Sequence, residues 1–112
     1  MTIELNDFQS HLRVLLGLRG AELTDEELSR TAECYSRCRG KEQWDVREYA
    51  LPTAVGAREY RVVRGNRTDD VYRSIERIRA AAVGTALNEL EAEESSREAF
   101  RSAARRHVRN PV

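Results

Sequence analysis

Apolar positions recur at helical spacing in three stretches and at strand spacing in one. Leu5, Phe8, Leu12, Leu15 and Leu16 fall at three- and four-residue steps, which gives a helix one apolar face. Asn6 with Gln9 three residues on reads as its N-cap and capping box, and Gly17 or Gly20 as its end. The next start signal is Thr24-Asp25-Glu26-Glu27. Thr caps the helix, Glu stands at N3, and Leu23 and Leu28 fit a hydrophobic staple. Asp25 and Glu26 also suit the positive end of the helix dipole. Leu28, Thr31, Ala32, Tyr35 and Cys38 form the inward face, and Gly40 is expected to close the helix near residue 39. A short linker joins the two helices, so they read as an αα-hairpin.

Residues 42–64 change character. Trp44, Val46, Tyr49, Leu51, Tyr60, Val62 and Val63 are strand formers, broken by Pro52, Gly56 and Gly65. Gln43–Leu51 and Arg58–Arg64 are predicted as the two strands of a hairpin. The connection Pro52–Ala57 is longer than a tight turn. A short helix over Lys41–Ala50 is the alternative. A third helix is predicted from Thr68, with Asp69 and Asp70 in its first turn. Val71, Ile75, Ile78, Ala82 and Ala86 make its stripe, extended by Val83, Leu87 and Leu90. Ser95 and Glu98 make another capping box ahead of Phe100, Ala103, Ala104 and His107. The pattern therefore gives either one helix over 69–108 or a break with a fourth helix from Ser96.

The expected fold is predominantly helical α+β: an N-terminal αα-hairpin, a small antiparallel β-hairpin, and a long C-terminal helix or helix pair. One domain covers 1–112, with 109–112 as a frayed tail. Composition adjusts this picture in one respect. The chain is 40% hydrophobic and 34% charged, with mean hydropathy −0.67. A polar chain of this length buries only about two-thirds of its unfolded surface, so self-association would help it. No run approaches the ~20 apolar residues of a membrane span. Met1-Thr2-Ile3-Glu4 has no secretory character, and two cysteines make no disulfide framework. The expected setting is cytoplasmic.

The 19 basic and 19 acidic residues sum to zero, and 18 of the basic residues are arginine. They are not evenly spread. Residues 1–36 and 80–96 each carry net −4, and residues 37–79 and 97–112 each carry net +4. Alternating blocks suit pairing within the fold or between subunits.

Catalytic and cofactor motifs are missing from the sequence, so it predicts neither an enzyme nor a cofactor. Cys34 and Cys38 share a helix face but lack two further zinc ligands, and His11 and His107 belong to no ligand motif. Both thiols read as packing residues, and no metal is expected. Asn66-Arg67-Thr68 matches a glycosylation sequon, which carries no weight without a secretory signal.

Two surfaces are the candidates. Trp44, Tyr49 and Tyr60, with Arg58, Arg61 and Arg64, supply the residue types that dominate interface energetics. Their simpler role is to pack the hairpin on the helices. Arg61, Arg64 and Arg67 on the hairpin exit could instead reach a nucleic acid groove, although zero net charge removes the usual footprint. In the C-terminal helix, Ala80, Gly84 and Asn88 make a row of small residues. Gly84 costs about 1 kcal/mol against Ala, which close approach of another backbone would offset. Glu89–Glu94 is acidic and Arg97–Arg109 basic, so two copies crossing antiparallel at 95–96 would set acid against base. Ala80, Gly84, Leu87, Phe100, Arg101 and Arg105 are the candidate dimer interface. The function expected is that of a non-enzymatic accessory or regulatory protein that binds another protein, as a helix-mediated homodimer. The alternative is a small nucleic-acid-binding transcriptional regulator.

Overall fold

The computed structural model describes residues 5–38, 42–65 and 70–109, with the side chains of 5, 6, 95 and 97–109 excepted. In chain order the elements are α1 (Leu5–Leu18), α2 (Asp25–Arg37), β1 (Trp44–Ala50), β2 (Arg58–Arg64), β3 (Asp70–Ser74) and α3 (Arg77–Arg109). The fold is α+β: two N-terminal helices, a three-stranded antiparallel sheet in the order β1-β2-β3, and one long helix.

Phe8, Leu12, Leu15 and Leu16 are buried, as the periodicity of α1 requires. Asn6 lies inside this helix, which begins at Leu5, so it is not the cap. Gly20 ends the helix. At φ +70° it occupies the left-handed region. Ala21 N–H donates to the Leu16 carbonyl at 3.0 Å and Gly20 N–H to Gly17 at 3.1 Å, a Schellman motif with glycine at C′. The α2 capping box is complete: the Thr24 hydroxyl accepts from Glu27 N–H at 3.1 Å, and Thr24 N–H donates to Glu27 Oε1 at 3.0 Å. Leu28, Thr31 and Ala32 are buried. The helix ends at Arg37 with Cys38 as C-cap; Gly40 lies outside the described residues.

β1 and β2 pair in the expected hairpin, from Trp44 opposite Arg64 to Ala50 opposite Arg58. Lys41–Ala50 is therefore not helical over its described part. The third strand corrects the expectation that a helix starts at Thr68. Asp70–Ser74 is β3, paired with β2 through Tyr60–Ser74, Arg61–Arg73 and Val62–Tyr72, with a bulge at Val62/Val63. Val71 and Tyr72 are adjacent, and both are buried. The strand breaks the helical stripe, and Ile75 and Ile78, assigned to it, are 74% and 84% exposed. Thr68 and Asp69 lie outside the described residues. α3 then starts at Arg77 and continues for 33 residues through Ser95 and Ser96, which removes the predicted break. Arg109, the first residue of the expected 109–112 tail, is helical, and 110–112 lie outside the described residues.

α3 lies across one face of the sheet, and α1 packs on α3 and α2. His11 Nε2 stands 3.0 Å from Glu93 Oε2, and Arg19 pairs with Glu89. Residue numbers rise along α1 as they fall along α3, so the two helices run antiparallel. Leu12, Leu16, Leu28, Val62, Val83, Leu87 and Leu90 fill the core between these layers. Among the described residues, no helix is long and apolar enough to cross a membrane.

Candidate functional site

Alternation along the strands sorts the hairpin residues into two faces. Trp44, Val46, Tyr60, Val62 and Arg64 share the face toward α3; Asp45, Arg47, Tyr49, Glu59, Arg61 and Val63 share the other. The two halves of the proposed binding surface therefore lie on opposite sides of the sheet.

The α3 side is a packed seam. Trp44 is 3% and Arg64 4% exposed. The Arg64 guanidinium lies 4.2 Å from the centre of the Trp44 ring. Arg64 pairs with Glu91 and donates to the Cys38 carbonyl at 3.4 Å. Trp44 Nε1 donates to Glu91 Oε1 at 3.1 Å. Asn88 closes the seam: its Oδ1 accepts from Trp44 N–H at 2.8 Å and its Nδ2 donates to the Trp44 carbonyl at 3.0 Å. The side-chain amide thus does for the first residue of β1 what a neighbouring strand would do. Trp44 and Arg64 serve this seam and do not face outward.

On the opposite face, Arg47, Arg61 and Arg73 stand directly opposite one another across three strands. Like charges in that register repel, and local acceptors compensate. Arg61 donates to Glu59 Oε2 at 3.1 Å and lies 4.3 Å from the Tyr49 ring centre. Arg73 Nε donates to Asp70 Oδ2 at 2.6 Å, and Arg47 donates to the Gly65 carbonyl. Glu59 and Asp70 offset two of the three charges, and the row is bonded internally. Arg58 is exposed and pairs with Glu48 across the hairpin at 3.5 Å, while Tyr60 is half-buried against the core. Arg67 lies outside the described residues.

The small residues of α3 divide between its two sides. Ala80 and Leu87 are fully buried in the fold, and Gly84 faces the sheet, where a Cβ would meet Val46 at 3.6 Å and Val62 at 3.7 Å. These three candidate interface residues are covered by their own chain. Ile78, Ala81, Thr85 and Ala92, on the opposite side, are exposed. Phe100, Arg101 and Arg105 lie on the helix beyond the body, their side chains outside the described set. Three of the four acids of the acidic block are already engaged: Glu89 pairs with Arg19, Glu91 with Arg64, and Glu93 with His11.

Asn88 and Glu91 were legible only as helix-surface residues, because their partners come from β1 and β2. Arg47 and Arg73 needed the strand register to be seen as one row. Two shallow grooves flank α2. One of about 370 Å³ lies at the α1–α2 turn beside Arg13 and Asp25. The other, about 160 Å³, lies between α2 and β3, beside Cys34, Arg30 and Tyr72. Among the described residues, no three His, Cys, Asp or Glu side chains are grouped to hold a metal ion. No protein-family model, curated protein or solved structure matches the chain.

Proposed function

We propose that the protein is a non-enzymatic accessory module that works by docking, and that its docking element is α3 with a second copy of the chain as the partner. The observation carrying this reading is the uncovered side of α3. Ile78, Ala81, Thr85 and Ala92 are exposed and follow three-, four- and seven-residue steps, so they fall on one stripe opposite the sheet-packed side. Small side chains there let another helix approach closely. Ile75 and Ile78, large and apolar, stand exposed at the base of the same helix. An exposed apolar patch on a polar chain is the usual mark of a contact surface.

The arrangement favoured is antiparallel, with the crossing near Thr85. A parallel pair would set one arginine-rich end beside the other, and like charges there repel. The crossing expected at 95–96 rested on an acidic block open to a partner, whereas Glu89, Glu91 and Glu93 are engaged by the body.

Light scattering tests the proposal. The expected mass at high micromolar concentration is twice the 12.8 kDa of the chain. Thr85→Arg with Ala92→Arg, both at exposed positions, should return the monomer while leaving the circular dichroism unchanged. A monomeric wild type at that concentration would sink the proposal.

A further inference from the structure

We infer that the end of α3, Arg97–Arg109, is a docking arm for duplex DNA. This goes beyond the self-association proposed above and does not depend on it. Three observations carry it.

The first is the reach of α3. Its 33 residues make a rod about 50 Å long. Its last buried side chain among the described residues is Leu90. The molecule measures 70 × 27 × 21 Å, and its radius of gyration is 16.9 Å, against about 13 Å for a compact domain of this length. The helix therefore overruns the body.

The second is a change of chemistry along one stripe. Val83, Leu87 and Leu90 enter the core. The same three- and four-residue steps continue through Glu94, Arg97, Arg101 and Arg105. Past Leu90 and Glu94, the positions on that stripe are arginines. Arg97, Arg101, Arg105 and Arg109 also stand four residues apart in one row, on successive turns about 6 Å apart along the axis.

The third is charge. Residues 97–109 carry five arginines and one acid, Glu98. Three of the four acids of the preceding turns already have partners on the body: Glu89 on Arg19, Glu91 on Arg64, Glu93 on His11. A chain that is neutral in sum thus concentrates a net +4 at one end of a helix.

The chemistry of the arm selects the ligand. Its only large apolar residues are Phe100 and Val108, too few to anchor it in a membrane or to centre a tight protein interface. Single strands are gripped by stacking on several aromatic rings, and the arm has one. An A-form RNA major groove is too narrow for side chains to read. The B-DNA major groove, about 12 Å wide, admits a helix, and its phosphates reward a row of arginines. Of the hairpin arginines that are the alternative for this role, Arg64 pairs with Glu91 and Arg61 with Glu59, and Arg67 lies outside the described residues.

The test is fluorescence anisotropy of the full chain with a mixed-sequence DNA duplex about two helical turns long. Four neutralised phosphates give a log–log salt slope of about −3.6, a loss of roughly a hundredfold between about 50 and about 200 mM salt. Replacing Arg97, Arg101, Arg105 and Arg109 together by Gln should weaken binding at low salt at least tenfold, with the circular dichroism unchanged. The same four as Lys should retain it. Arg13, Arg30, Arg58 and Arg77, exposed on the body, replaced together by Gln, should stay within about twofold because they lie off the arm. Three results would overturn the inference: no wild-type binding at low salt, an equal loss in the body variant, or failure of the Lys variant. Binding to phosphatidylserine vesicles without binding to DNA would assign the arm to membranes instead.

Discussion

Gly84 and Asn88 stand one turn apart on α3 and do opposite things. The glycine was expected to mark a close backbone approach. In the structure a Cβ there would sit 3.6 Å from Val46 and 3.7 Å from Val62, which is ordinary van der Waals contact. Gly84→Ala should therefore raise stability, by up to about 1 kcal/mol from helix propensity, as read by urea unfolding. A loss of stability would mean that the seam is tighter than its geometry. Asn88 has no such slack. It holds both the N–H and the carbonyl of Trp44, whose side chain is buried. Asn88→Ala would leave both groups without their partner at a cost of about 1–3 kcal/mol. Asn88→Asp should also destabilise, since a carboxylate cannot donate to the Trp44 carbonyl. Neither substitution touches the exposed stripe or the arm, so both should leave self-association intact.

Local signals were legible where an element depends on its own residues. The α2 capping box, the α1 stripe and both hairpin strands could be read directly, because caps and periodicity act within a few residues. β3 could not. Asp69-Asp70 ahead of a spaced apolar run has the grammar of a helix start, and only the pairing of Val62 with Tyr72 makes the segment a strand. Tertiary pairing overrode the local preference. The Ser95–Glu98 signal failed in the other direction: a capping box requires the preceding helix to stop, and nothing stops α3 there. The seam was hidden for the same reason as β3, since Arg64, Trp44 and Glu91 meet only through long-range packing. The α2 cap also fixes a pH response. Burial raises the Glu27 carboxyl, but hydrogen bonds from the Thr24 backbone and hydroxyl, with the charge of Arg79, hold it below its ordinary 4.5. Its stabilising contribution is present above pH 4.5 and is lost as pH falls through the lowered value. Wild type should exceed Glu27→Gln in urea midpoint near neutrality, and the gap should close in acid. A gap that persists in acid would assign the effect to packing rather than charge.

At the scale of the molecule, the body and the arm answer to different forces. The body is held by a core whose last buried side chain among the described residues is Leu90, and by arginines that close over acids of α3. The arm continues the same helix with arginines on the stripe that holds Val83, Leu87 and Leu90 earlier in α3, so it adds charge. Removing it should therefore separate the two. A chain ended after Ser96 loses helical signal for the deleted turns, but its thermal midpoint should move by no more than about 4 °C, since a shift of that size corresponds to about 1 kcal/mol in a domain of this length. The exposed stripe Ile78–Ala92 remains, so the concentration dependence of the midpoint that accompanies self-association should remain with it. Duplex DNA binding should disappear. A midpoint drop well beyond that figure would show that the arm folds back and supports the body. A loss of concentration dependence would move the self-association surface from the stripe to the arm.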